Sequence, residues 1–106
     1  MWVNIKGNVV ELDFNHHYSN GRLAIAGTCA NGSPWGALTV NIVAVDLKPN
    51  ELIVDVNKPF GYEKILKDAG LIGSEPARMV HSDWVDYPVY EMTPLLIELA
   101  GLEGKV

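Results

Sequence analysis

At 106 residues the chain has the length of one domain. A domain of that size buries roughly 65 % of its unfolded surface, enough for one core without disulfide or metal staples. Thirteen acids against eight bases give a formal charge of −5, which argues against general nucleic-acid binding through a basic patch. The single cysteine, Cys29, excludes an internal disulfide and fits a reducing compartment.

The first residues, Met1-Trp2-Val3-Asn4-Ile5-Lys6, read as a strand and not as a signal segment. No run reaches the ~20 apolar residues of a membrane span, so a cytoplasmic location is expected. Strands are predicted over 2–6 and 9–18, joined at Gly7-Asn8. Within 9–18, Val10, Leu12, Phe14, His16 and Tyr18 alternate with Val9, Glu11, Asp13, Asn15 and His17, the period of a half-buried strand. Tyr18-Ser19-Asn20-Gly21 turns into the longest apolar stretch, 21–45. Asn31-Gly32-Ser33-Pro34 breaks that stretch with residues suited to a turn. The prediction is an antiparallel hairpin in the middle of a sheet, its second arm bearing Leu38, Val40, Ile42 and Ala44 on one face.

Residues 46–50 form a loop and 51–56 another strand. A helix is predicted over 59–69, with Asn57 or Lys58 near its N-cap and Pro59 in its first turn. Tyr62, Ile65, Leu66 and Ala69 make its apolar stripe, and Gly70 ends it. Short strands follow over 77–81 and 84–92. Pro88 demotes the second of these to an edge or bulged strand. Thr93-Pro94 opens a short C-terminal helix whose Leu95, Leu96, Leu99 and Leu102 share a face. That face can close the domain's own core, form a homodimer or dock on a partner. The fold class is α+β: one domain, 1–106, with a twisted, mainly antiparallel sheet of five to seven strands, one principal helix on a face and the short C-terminal helix.

Three words stand out: Tyr18-x-Asn20-Gly21-Arg22-Leu23-Ala24-Ile25, Ala37-x-Thr39-Val40-Asn41 and Tyr87-Pro88-Val89-Tyr90. On them the chain resembles a small bacterial family of unknown function found among phage, plasmid and conjugative-element genes. Asp83 stands where a Gly–aromatic pair is expected, and 94–106 extends past the resemblance. The resemblance implies a mobile-element setting and no reaction.

Catalytic signals are thin. His16 and His17 are neighbours on a strand and point to opposite faces. His17, His81 and Asp83 are the one two-His-one-carboxylate set for a small metal-dependent hydrolase, but the spacing carries no zinc signature. Cys29 has no base beside it in sequence, Ser33 lacks a nucleophile elbow, and no phosphate loop precedes a helix. The expectation is a non-enzyme without cofactor or metal. Arg22 is expected to pair with a carboxylate, and Trp35 to pack in the core or anchor a partner.

Between Met79 and Gly104 there are five acids and no Lys or Arg. Asp83, Asp86 and Glu91 surround Trp84 and Tyr90, and interfaces place aromatics centrally with polar groups at the rim. These five residues are the candidate partner-binding set. The leading expectation is a small acidic protein-binding module of phage or mobile-element type. One version is an inhibitor of a host defence complex (anti-CRISPR or anti-restriction) that contacts a basic, nucleic-acid-handling protein and not nucleic acid or membrane. The metal-dependent hydrolase and a homodimeric accessory protein are the alternatives.

Overall fold

In a computed structural model covering residues 1–106, seven strands form two antiparallel sheets beside two short helices. The first sheet has the order β1 (Trp2–Ile5), β2 (Asn8–His17), β3 (Leu23–Cys29), β4 (Pro34–Ala37). In the second, β7 (Val85–Glu91) lies between β5 (Glu51–Ile53) and β6 (Arg78–Ser82). The helices are α1 (Tyr62–Asp68) and α2 (Pro94–Leu99). The α+β class and the antiparallel pairing agree with the sequence; the division into two sheets does not. A single bridge, Thr39 to Val54, stitches the sheets, flanked by Val40 N–H to the Ile53 carbonyl (3.0 Å) and Asp55 N–H to the Leu38 carbonyl (3.0 Å).

The core follows from alternation. Ile5, Val10, Leu12, Phe14 and Ile25 line the inner face of the first sheet and pack on Leu52, Tyr90 and Met92 of the second sheet and its extension. Tyr62 and Leu66 of α1 and Leu96 of α2 close the same cluster. Gly27 lets Trp35 cross this layer: a Cβ there would lie 2.8 Å from Val10 Cγ1 and 3.2 Å from Trp35 Cβ. Trp35 then stacks edge-on with Phe60 and donates from Nε1 to the Tyr62 hydroxyl at 2.9 Å, so the half-buried indole has a partner for its N–H.

Several expectations are corrected. The β1–β2 turn is Lys6-Gly7, with φ of 51° and 86°, one residue earlier than predicted. β2 carries one extra residue against β3 between Asp13 and His16. This bulge resets the alternation, so His16 leaves the apolar face and becomes exposed, bonded to Asp13 at 3.1 Å.

The second arm of the central hairpin stops at Ala37. The apolar run beyond it is no strand: Val40, Ile42, Val45 and Leu47 pack as a strap over a second, smaller cluster of Ile53, Tyr87 and Val89. Arg22 holds the strap, donating to the Ile42 carbonyl (2.9 Å), the Val45 carbonyl and Asn41 Oδ1 (3.3 Å). Its partners are carbonyl oxygens, which a five-donor guanidinium satisfies well, and not the expected carboxylate.

Pro88 does not put β7 at an edge: β7 is the middle strand. Proline is accommodated because the ladder to β5 ends at Ile53–Val89. Val54 N–H still donates to the Pro88 carbonyl at 3.2 Å, and only the reciprocal bond, which proline cannot make, is missing. α1 starts at Tyr62 and not at residue 59, because Gly61 at its N-cap is left-handed (φ 68°, ψ 41°) and interrupts any right-handed run from Pro59. In α2, Thr93 caps as the sequence suggests, accepting from Leu96 N–H at 3.3 Å with Pro94 behind it. The leucine stripe splits. Leu96 is buried and Leu102 packs partly on the core, whereas Leu95 and Leu99 remain about 40 % exposed. The helix therefore closes its own core with one face only.

Candidate functional site

β6 and β7 are paired from Arg78–Val89 to Ser82–Val85, leaving Asp83 and Trp84 as a two-residue turn. Both have positive φ, 48° and 68°, the geometry of a type I′ hairpin turn, which Asn-Gly and Asp-Gly pairs adopt readily. Asp tolerates this region; an indole-bearing residue does so rarely, at a cost of about 1 kcal/mol. Trp84 gains no packing in return, for its side chain is 93 % exposed. Below it, His81 and Asp86 face each other across the ladder with Nδ1 and Oδ1 2.7 Å apart. Met79, 53 % exposed, stands opposite Pro88 further down the same face.

The five candidate residues thus divide. Asp83, Trp84 and Asp86 come together at the tip, with His81 and Met79. Tyr90 is corrected as an exposed anchor: its ring is fully buried, and its hydroxyl donates to Glu63 Oε2. Burial first, then Glu63, pushes the Tyr90 phenol above its ordinary value. The Lys67 ammonium lies 5.2 Å over the ring, and its own value is raised chiefly by Tyr90. Glu91 is exposed but faces Glu51 at the opposite end of β7, roughly 20 Å along the strand from Trp84. Met79 is the residue that sequence reasoning missed. Its signal is the register, which places it opposite Pro88, two residues along β6 from His81 and on the same side of the strand.

At the base of the hairpin an ion pair fixes the frame. Glu51 is almost wholly buried and bonds Arg78 Nη1 at 2.8 Å and the Lys48 N–H at 2.8 Å. Burial alone would raise its carboxyl; Arg78 and the Lys48 amide outweigh it and hold the group below the ordinary value of 4.5.

The other candidates do not assemble. No three His, Cys, Asp or Glu side chains come together as a metal cluster. His17 ends β2 in the first sheet, while His81 lies in β6 of the second and Asp83 in the turn that follows it, so the hydrolase set is separated by topology. Asp13 accepts from Asn15 N–H at 2.8 Å inside the bulge. That bond is the main reason its carboxyl lies below the ordinary value, against burial and with help from His16. Cys29 is half-buried at the end of β3.

The first two words of the family resemblance meet in space. Tyr18 Oη lies 2.9 Å from Thr39 Oγ1, Asn20 Nδ2 donates to Asn41 Oδ1 at 3.1 Å, and Arg22 reaches the same Asn41 oxygen. They form the polar clasp of the strap, which is a structural task. No helix is long and apolar enough to cross a membrane. No family model, curated protein or solved structure matches the chain.

Proposed function

We propose that the protein is a binding module that presents the β6–β7 tip to another protein. Trp84 enters an apolar pocket of the partner, and Asp83 and Asp86 meet basic groups around it. The observation that carries this reading is the near-complete exposure of Trp84 at a left-handed turn position. A residue there serves neither the core nor the turn, and tryptophan is one of the residue types enriched among interface anchors. Tyr90 and Glu91 take no part. The partner class that fits the charges is a basic, nucleic-acid-handling protein. A host defence complex, blocked in the manner of an anti-CRISPR or anti-restriction protein, is the form suggested by the mobile-element resemblance.

The test is a matched capture with wild-type protein and Trp84→Gly as baits, read by mass spectrometry. A partner held by the wild type and lost with Trp84→Gly supports the proposal. A partner retained equally by both baits, or none with either, overturns it.

A further inference from the structure

The free edge of β1 differs from every other edge in the molecule. β4 begins with Pro34, β5 is three residues long and continues into the Thr39 bridge, and β6 carries Arg78 and His81. Such short lengths, prolines and charges are how natural sheets blunt their edges. β1 is Trp2-Val3-Asn4-Ile5, with no charge and no proline.

Its hydrogen-bonding direction is fixed. The Leu12 N–H donates to the Met1 carbonyl at 2.8 Å, and Val3 pairs Val10 and Ile5 pairs Asn8 in the same register. Met1, Val3 and Ile5 therefore turn their backbone groups towards β2. Trp2 and Asn4 turn theirs outward, where no partner in the chain meets them. Beside this edge runs an open groove of about 360 Å³ lined by Met1, Trp2, Val3, Ile65, Asp68 and Ala69. Val3, Ile65 and Ala69 are only half-buried, and Trp2 is 55 % exposed.

We infer that a second copy of this chain pairs with β1 about a two-fold axis through Val3. Placing Trp2 opposite Asn4 of the second copy makes two hydrogen-bonded pairs. Those pairs satisfy all four outward backbone groups of each copy at once, a self-complementarity that an isologous interface requires. The strand places no like charges on the axis. Val3 meets Val3 as a non-hydrogen-bonded pair with Cα atoms about 4.5 Å apart, and the half-buried apolar residues of the groove are covered. The interface is independent of the β6–β7 tip.

Sedimentation equilibrium and cysteine cross-linking test both the dimer and its register. The expected mass is twice the 11.6 kDa of the chain. In a Cys29→Ser background, Val3→Cys should oxidise to a covalent dimer, since 4.5 Å lies within disulfide range. Trp2→Cys should not, because two such residues are roughly 8–9 Å apart in this register, beyond that range. A monomer at every concentration with Val3→Cys left reduced overturns the inference. So does a dimer that cross-links through Trp2→Cys instead. Trp2→Lys with Asn4→Lys, which opposes like charges twice across the axis and leaves the β2 ladder intact, should return the mass to that of one chain.

Discussion

Trp84 and Tyr90 lie six residues apart on one hairpin, on positions of equal parity, and meet opposite fates. One is 93 % exposed and the other 0 %. The even positions of β7 share a face. At Asp86 that face is open, but at Tyr90 and Met92 it lies against the main core. The hairpin projects beyond the core, so depth along the strand decides burial as much as parity does. Its base is packed and its tip is exposed.

Substitution at the base should be the most damaging. Tyr90→Ala removes a ring packed on all sides and should cost about 3–5 kcal/mol in denaturant unfolding. Tyr90→Phe, which loses only the bond to Glu63, should cost about 1 kcal/mol. Trp84→Ala should change stability by less than about 0.5 kcal/mol. Equal losses at positions 84 and 90 would erase the contrast between base and tip.

Next in size is the buried ion pair. Arg78→Ala leaves Glu51 enclosed without its cation and should cost about 2–3 kcal/mol at neutral pH. The pH dependence has a definite sign. The folded carboxyl sits below its ordinary value of 4.5, so the wild type has the full contribution above that value. It loses the contribution as pH falls through the folded value. Without Arg78 burial dominates and Glu51 favours its protonated form, so the variant should lose less stability than the wild type on acidification. Unfolding curves of the two proteins that run parallel from neutral pH to acid would show that the pair contributes nothing.

How far the sequence exposes these features depends on how local their causes are. Most of the strands, the Thr93–Pro94 helix start and the run of acids after Met79 follow from neighbouring residues, and all are legible. The course of 38–47 is not, because its apolar alternation fits a strand equally well. It becomes a strap through Arg22, some twenty residues away, and through the cluster of Ile53, Tyr87 and Val89. Pro88 misleads because its rule concerns missing N–H groups, and the strand it would pair with ends beside it. The bulge at Asp13–His16 has no mark in composition, and it moves His16 from the apolar face to solvent. At the tip, Asp83 and Trp84 were legible as polar and aromatic, but only the register of β6 against β7 reveals the turn that pushes the indole outward.

A third prediction separates function from stability. Trp84→Gly puts the residue best suited to positive φ at the second turn position, so it should stabilise the fold by about 1 kcal/mol. The same change should weaken partner binding by about 30-fold or more, the loss expected of an anchor. A gain in stability with binding intact would assign Trp84 no role at all.

The smallest effect is the most discriminating for the charge. Asp83 has no salt bridge within the chain, and asparagine accepts the left-handed region at least as well. Asp83→Asn should therefore leave stability unchanged within about 0.5 kcal/mol. Asp86 offers no such isolation, since its carboxylate is bonded to His81. If the partner surface is basic, Asp83→Asn should slow association a few-fold at low ionic strength. The difference should vanish near 1 M salt, where the screening length falls to about 3 Å. Association rates equal to wild type at low salt would remove the electrostatic half of the proposal and leave Trp84 as an apolar anchor acting alone.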